Sequence, residues 1–470
     1  MFKKWISGAL AACLLVSSLA MFTACSGDST SSDDSASSSN STSSSNSTSS
    51  GDKGKDDGGK KPAGEKVILN YWLFDLGGPY TKLHQKIVDS FNKSQDEVVV
   101  NLSVQPISAT KSITEFDEKF LPAFAAKKAP DVVPFSDLVT AAINGYATDL
   151  TENVGKDIKD GVYYDTLMNY CKYNEKYWAL PFEITYIGFL VYNKDLFKKA
   201  GLDPNKPPTT MEELEAYADK MFEKNSKGVY TQIGFDPNEW LYAVGYNWAR
   251  PFGGSAFDEN GNYTPNSPEM VKALEWAANF TKKHGGVDKL AEIRTDQSLI
   301  YGNFTHGVEA MSYAYNNQIS ELKAQKVSFE YGITRFPTVA GANDAAYCSG
   351  FRYGIVKTAK DKEAAWKFLK YLCGPEGTGI GVRDGFNDSV MMGYSPCPAV
   401  NEEYKDKMDP ALASIVDLLP TLEYKENVYS DANYSTYLSS AFNDAMSGKG
   451  EPKALLDEVK RKTEAFKKPQ

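Results

Sequence analysis

Histidine is almost missing from this chain: three of 470 residues, His84, His284 and His306, with no two at the spacing a zinc site needs. Local motifs therefore build no metal centre, and no cofactor is expected. The Gly-x-Ser-x-Gly elbow of a serine hydrolase is absent. Gly54 to Lys60 has phosphate-loop spacing, but Lys61 stands where Ser or Thr must bind magnesium, and no strand precedes it. Gly377, Gly379 and Gly381 follow a helical pattern rather than a strand, which argues against a dinucleotide fingerprint. Carboxylates are plentiful, so counting leaves a glycosidase pair open, but no two are singled out.

Positive charge is also short. The net charge of -10 and pI near 5.1 argue against nucleic acid or an anionic membrane as partners. Beyond the N-terminal segment no apolar run is long enough to span a bilayer. Six cysteines are present, and the four in the body, Cys171, Cys348, Cys373 and Cys397, are too few for a disulfide framework. No repeat of solenoid length occurs.

The N-terminus carries the first positive signal. Lys3 and Lys4 precede an apolar stretch from Ala9 to Met21, and the small residues Thr23 and Ala24 follow, in the layout of a secretory signal over residues 1–24. Met21-Phe22-Thr23-Ala24-Cys25 resembles a bacterial lipobox, which implies lipidation of Cys25 (palmitate among the acyl groups) and an extracytoplasmic protein anchored to the cell membrane by that lipid alone. Of residues 26–50, 15 are serine and most others are Thr, Asn, Asp or Gly. Such a composition cannot offset its ordering entropy, so residues 25–64 are expected to form a tether with a reach of about 35 Å.

The body, from residue 65, is long enough for two domains. Strand-like Lys66 to Phe74 and Val98 to Val104 flank a helical pattern around Tyr80 to Asn92. Thr210 with Glu213 forms a capping box, and Met211, Leu214, Ala218 and Met221 share one face of the helix that follows. Ser267 and Pro268 open a helix with Val271, Leu274 and Ala278 facing inward, stopped by Gly285-Gly286. Asp361 starts another, with Ala365, Phe368, Leu369 and Leu372 inward, ended by Gly374 and Pro375. The alternation predicts α/β layers with mostly parallel strands.

The densest signal runs from Trp178 to Leu214. Leu180-Pro181-Phe182-Glu183 leads into Gly188-Phe189-Leu190-Val191-Tyr192-Asn193-Lys194-Asp195-Leu196-Phe197, then Pro207-Pro208-Thr209-Thr210. This is an apolar strand, a short helix, a proline turn and a capped helix. It closely resembles the signature of the family 1 extracellular solute-binding proteins, of which maltose-binding protein is the best-known type. Ala129-Pro130-Asp131-Val132-Val133, Phe304 to Met311, Tyr331 to Pro337 and Gly350 to Leu372 extend the resemblance in order.

The resemblance implies a two-lobed periplasmic-binding-protein-like α/β fold (type II) with hinge crossovers and a ligand cleft between the lobes. Lobe 1 would comprise 65–184 and 335–360, and lobe 2 would comprise 185–334 and 361–470. The protein would be a monomer, not an enzyme, presenting its ligand to the permease subunits of an ABC importer. By similarity the cleft would be lined by Trp72, Asp75, Phe135, Asp137, Glu183, Tyr186, Trp240, Tyr242, Trp248, Tyr315, Asn316, Phe351, Arg352 and Tyr434. Aromatics interleaved with carboxylates and amides suit a carbohydrate, whose C-H faces stack on rings while its hydroxyls donate. Core packing accounts equally well for each aromatic. Arg352 is the one arginine in these segments, whereas a glycerol phosphate diester would call for clustered basic groups. A peptide ligand and a secreted glycoside-active enzyme remain as alternatives.

Overall fold

The computed structural model describes residues 66–464, apart from 76–77, 108–113, 136, 186, 239–247, 256, 259–261, 294–301, 316–321, 323–324, 343–346, 349, 389–392, 409 and 425–432. The signal segment, Cys25 and the serine-rich stretch lie outside the described residues.

A five-stranded sheet organises the first lobe. Its order is Val98–Gln105, Val67–Phe74, Val132–Pro134, Arg352–Ile355 and Leu180–Pro181. The first three run parallel, and Arg352–Ile355 runs antiparallel to both of its neighbours. In Val67–Phe74 the period of two is plain: Leu69, Tyr71 and Leu73 are buried, while Ile68 and Asn70 face solvent. Helix Gly78–Ser94 covers the buried face with Tyr80, Leu83, His84, Ile87, Val88 and Phe91, at helical spacing.

The second sheet has Gly188–Asn193 at its centre, flanked antiparallel by Met311–Tyr315 and Tyr331–Arg335. All six residues of the central strand are buried, because layers lie on both faces. Leu190 and Tyr192 join one core, whereas Val191 joins a smaller cluster with Phe304 and Ala314. The expectation of mostly parallel strands is therefore corrected. Gly188–Asn193 is entered by the crossover from the first lobe, and its partners Met311–Tyr315 and Tyr331–Arg335 follow within the second lobe without the βαβ turns that set neighbouring strands parallel.

Helix starts follow the sequence chemistry closely. Thr210 accepts from the Glu213 backbone N–H while the Glu213 carboxylate receives the Thr210 N–H, the two halves of a capping box. Ser267 caps Pro268–Lys283 through the Met270 N–H, and Asp361 caps Lys362–Cys373 through the Ala364 N–H. Ala365, Phe368, Leu369 and Leu372 are buried as expected. On Pro268–Lys283 the buried stripe is Met270, Ala273, Leu274, Ala277, Phe280 and Thr281, so Val271 and Ala278 sit at its edge.

Packing also redraws the lobes. The core around Leu69 and Tyr71 takes in Ala364 to Cys373 and continues through Tyr394 and Leu412 to Leu422. The other core contains Tyr434, Leu438, Leu456 and Val459. The block 361–470, expected whole in the second lobe, is thus divided between the two. Amphipathic spacing shows which face of Lys362–Cys373 is buried, but not against which sheet. The boundary at 335 also moves, since Arg335 pairs in the second sheet and Phe336 and Val339 pack on the second core.

Cys171, Cys373 and Cys397 are buried and free, and burial pushes the Cys171 and Cys397 thiols up to about 12. Among the described residues no helix is long and apolar enough to cross a membrane.

Candidate ligand cleft between the lobes

Ligands of open α/β sheets sit beyond the carboxyl ends of the parallel strands, and there the first lobe gathers its aromatics. Strand Val67–Phe74 delivers Trp72, Phe74 and Asp75, and Val132–Pro134 delivers Phe135. Phe351 enters from the return strand, its ring 5.1 Å from Phe74 and 6.0 Å from Tyr80. Two backbone bonds tie these ends together: the Phe135 N–H donates to the Arg352 carbonyl at 3.2 Å, and the Phe182 N–H to the Phe351 carbonyl at 2.9 Å. Trp72, Asp75 and Phe351 are half-buried and keep part of their surface accessible. The Asp75 carboxylate accepts from the Thr81 hydroxyl at 3.3 Å.

The crossover leaves this wall at Phe182 and enters the second sheet at Gly188. Glu183 is 1 % exposed, and among the described residues neither carboxylate oxygen has a hydrogen-bond partner. Burial alone pushes its carboxyl well above the usual carboxylate range. Ile184 pairs with Tyr394 through two backbone bonds of 2.8 and 3.0 Å. The crossover is thereby pinned to the first lobe.

On the far side Tyr315 lies opposite Gly188 in the sheet register, half-buried, with its ring 5.4 Å from Tyr313 and edge-on to it. Tyr313 covers Gly188 so closely that a Cβ there would overlap its hydroxyl. Deeper in this lobe are two buried carboxylates the sequence reading did not select, Asp236 and Glu309. The Asp236 backbone N–H donates to Glu309 Oε1 at 3.2 Å, and Asp236 Oδ1 accepts from the Asn238 backbone and side chain at 2.9 Å each. Their only local signal is the Asp-Pro-Asn turn.

The structure thus brings Trp72, Asp75, Phe135, Glu183 and Phe351 to one sheet end, with Tyr315 across the crossover. Two other expected positions have structural duties. Asp137 is exposed and caps Leu138–Ile143, accepting from Thr140 N–H and hydroxyl at 2.9 and 2.7 Å. Arg352 stacks 3.9 Å over the Tyr170 ring and donates to the Tyr170 carbonyl at 2.6 Å.

Two expected positions need correction. Trp248 is fully buried in the second core, edge-on to Phe442 at 4.4 Å, and Tyr434 is fully buried with its ring 4.0 Å from Tyr263. An aromatic without local apolar periodicity can still be claimed by a core assembled from distant segments. Tyr186, Trp240, Tyr242 and Asn316 lie outside the described residues. Among those described, no cluster of histidine, cysteine and carboxylate suits a metal ion.

Two lobes, crossovers at the sheet ends and a wall of half-buried rings with a carboxylate define a solute-binding architecture. The family model "Bacterial extracellular solute-binding protein" matches residues 76–379, and this chain belongs to that family, whose members bind solutes and are not enzymes. Among curated relatives, the sn-glycerol-3-phosphate-binding periplasmic protein UgpB of Escherichia coli K12 is 33% identical over 198 residues, 40% of this chain and 43% of that protein. The chain therefore matches less than half the length of that relative. Among solved structures, CpMnBP1 with mannotriose bound is similar at 25% identity and a TM-score of 0.66, covering 84% of this chain and 99% of that one. An ABC substrate-binding protein from Listeria monocytogenes in complex with cycloalternan has the same fold at 24% identity and a TM-score of 0.64, covering 86% and 100%.

Proposed function

We propose that this protein captures a sugar or oligosaccharide in the cleft between its lobes and hands it to the permease of an ABC importer, held at the membrane by lipid on Cys25. The observation that carries the ligand class is the pair of half-buried rings Trp72 and Phe351 beside Asp75, with the buried Phe74 behind them: ring faces suit the C–H faces of a pyranose, and a carboxylate accepts from its hydroxyls. Mannotriose in CpMnBP1 and cycloalternan in the Listeria protein support the same class.

A phosphorylated glycerol ligand is the second reading, favoured by the 33% identity to UgpB. The engagement of Arg352 with Tyr170 weakens it, because a phosphate calls for free convergent cations.

A thermal-shift panel of mannose, maltose and mixed-linkage oligosaccharides alongside sn-glycerol 3-phosphate tests both. A sugar at about 100 times its Kd adds about 2.7 kcal/mol, and chromatography after long incubation returns it unchanged. A shift with sn-glycerol 3-phosphate alone replaces the first reading by the second.

A further inference from the structure

Glu183 sits where the two arms of the hinge touch. The outgoing crossover passes through Phe182 to Gly188, and the return strand reaches it at Gly350 and Phe351, with Gly350 packed against the Glu183 carbonyl. Tyrosines from two strands and a neighbouring helix meet around this point. The Tyr71 hydroxyl and His84 Nδ1 share a hydrogen bond of 2.9 Å, Tyr353 lies 3.5 Å from His84 Nε2, and the Tyr80 and Tyr353 hydroxyls are 3.1 Å apart. The rings of His84 and Phe182 are 4.9 Å apart.

Among the described residues no cation faces the Glu183 carboxyl. Tyr71 comes from Val67–Phe74, Tyr80 and His84 from Gly78–Ser94, Tyr353 from Arg352–Ile355, and Cys373, beyond Tyr71, from Lys362–Cys373. Burial raises the tyrosines at 71 and 353 and the Cys373 thiol, and holds His84 at about 3, so each of these four favours its neutral form. Arg352, on the same strand as Tyr353, is stacked on Tyr170. Among the described residues a charge on Glu183 would have no counter-ion and no hydrogen-bond donor, and such an ionised carboxylate is among the costliest groups to bury.

We propose that Glu183 is a proton-operated element of the hinge: while it carries its proton the two crossovers stay packed together, and loss of the proton drives them apart to admit water. The opening of the lobes is then linked to the proton concentration outside the cytoplasm, whichever ligand the cleft takes. This device is separate from the ligand wall, since the carboxyl is buried behind it.

Linkage sets the sign. Glu183 has a raised folded value, so its contribution is complete below the unfolded value of 4.5 and is lost as pH rises toward the folded one. His84 is depressed from 6.5 to about 3, so its contribution is present above 6.5 and lost as pH falls. Between 4.5 and 6.5 the two act in opposite directions, Glu183 losing stability and His84 gaining it as pH rises; above 6.5 His84 adds no further slope.

The test compares wild type with Glu183→Gln, which keeps the shape without the titration. Unfolding by urea from pH 5 to 9 should show the variant gaining on wild type as pH rises, by about tenfold in the folding constant per pH unit until the folded value is passed. Deuterium exchange, referenced to the variant at each pH, should rise in wild type over residues 180–188 and 350–356. Infrared difference spectra of wild type against variant should show the carbonyl stretch of a protonated carboxylic acid at pH 7. If the variant does not fold, the loss of that band on raising the pH of wild type, together with rising exchange in the same segments, supports the proposal. A band absent at pH 7, or parallel stability and exchange profiles, overturns it.

Discussion

Gly350 passes so near Glu183 that a Cβ on it would stand well under 3.0 Å from the Glu183 backbone oxygen. Unlike the tip of a side chain, that oxygen cannot turn aside, so the contact fixes how the two crossovers meet. Gly350→Ala should cost about 1–3 kcal/mol by overpacking. Gly155→Ala is the contrasting case: helical, with open space around it, and expected to stabilise by about 0.5–1 kcal/mol. Thermal unfolding of the pair should therefore shift in opposite directions.

Trp72 and Trp248 separate the ligand wall from the core. Trp72→Ala should lower affinity for the best saccharide by about 30-fold, roughly 2 kcal/mol, with modest loss of stability. Trp248→Ala should lower stability by about 3–5 kcal/mol and leave the affinity of the folded fraction intact. Calorimetric titration beside thermal unfolding reads both, and equal behaviour of the two variants would contradict the assignment.

Cys25→Ala tests the anchor. The variant should move from the membrane fraction to the soluble one, and intact-mass measurement should show loss of the acyl groups carried by the wild type. Continued membrane partition with lipid attached would place the anchor elsewhere.

Closure of the lobes should be visible in solution. With saturating saccharide, small-angle scattering should give a smaller radius of gyration than without, since a ligand that touches both lobes favours the closed form. An unchanged radius at saturation would rule closure out.

Much of the local architecture could be read directly: Thr210 with Glu213, Ser267, and Asp361 each start a helix by the side-chain bond their types imply. The order of segments along the chain carried the family resemblance. Long-range pairing was hidden, because the buried face of Lys362–Cys373 would fit either sheet and nothing local tells which. For the same reason Trp248 and Tyr434, sound cleft residues by type, went to the core. The buried state of Glu183 was hidden as well: its surroundings, Tyr71, His84 and Tyr353, come from positions up to 282 residues apart and converge only in the fold.

The division of the C-terminal stretch between the two cores bears on how the chain is made and exported. The first core is complete only with Leu422 and the second only with Val459, yet both begin in the first half of the sequence. An emerging polypeptide therefore cannot finish its first lobe until Leu422 is out, nor its second until helix Pro452–Thr463 follows. Secretory machinery threads unfolded chains, and this topology keeps the chain threadable to a late stage by delaying the contacts that would lock it.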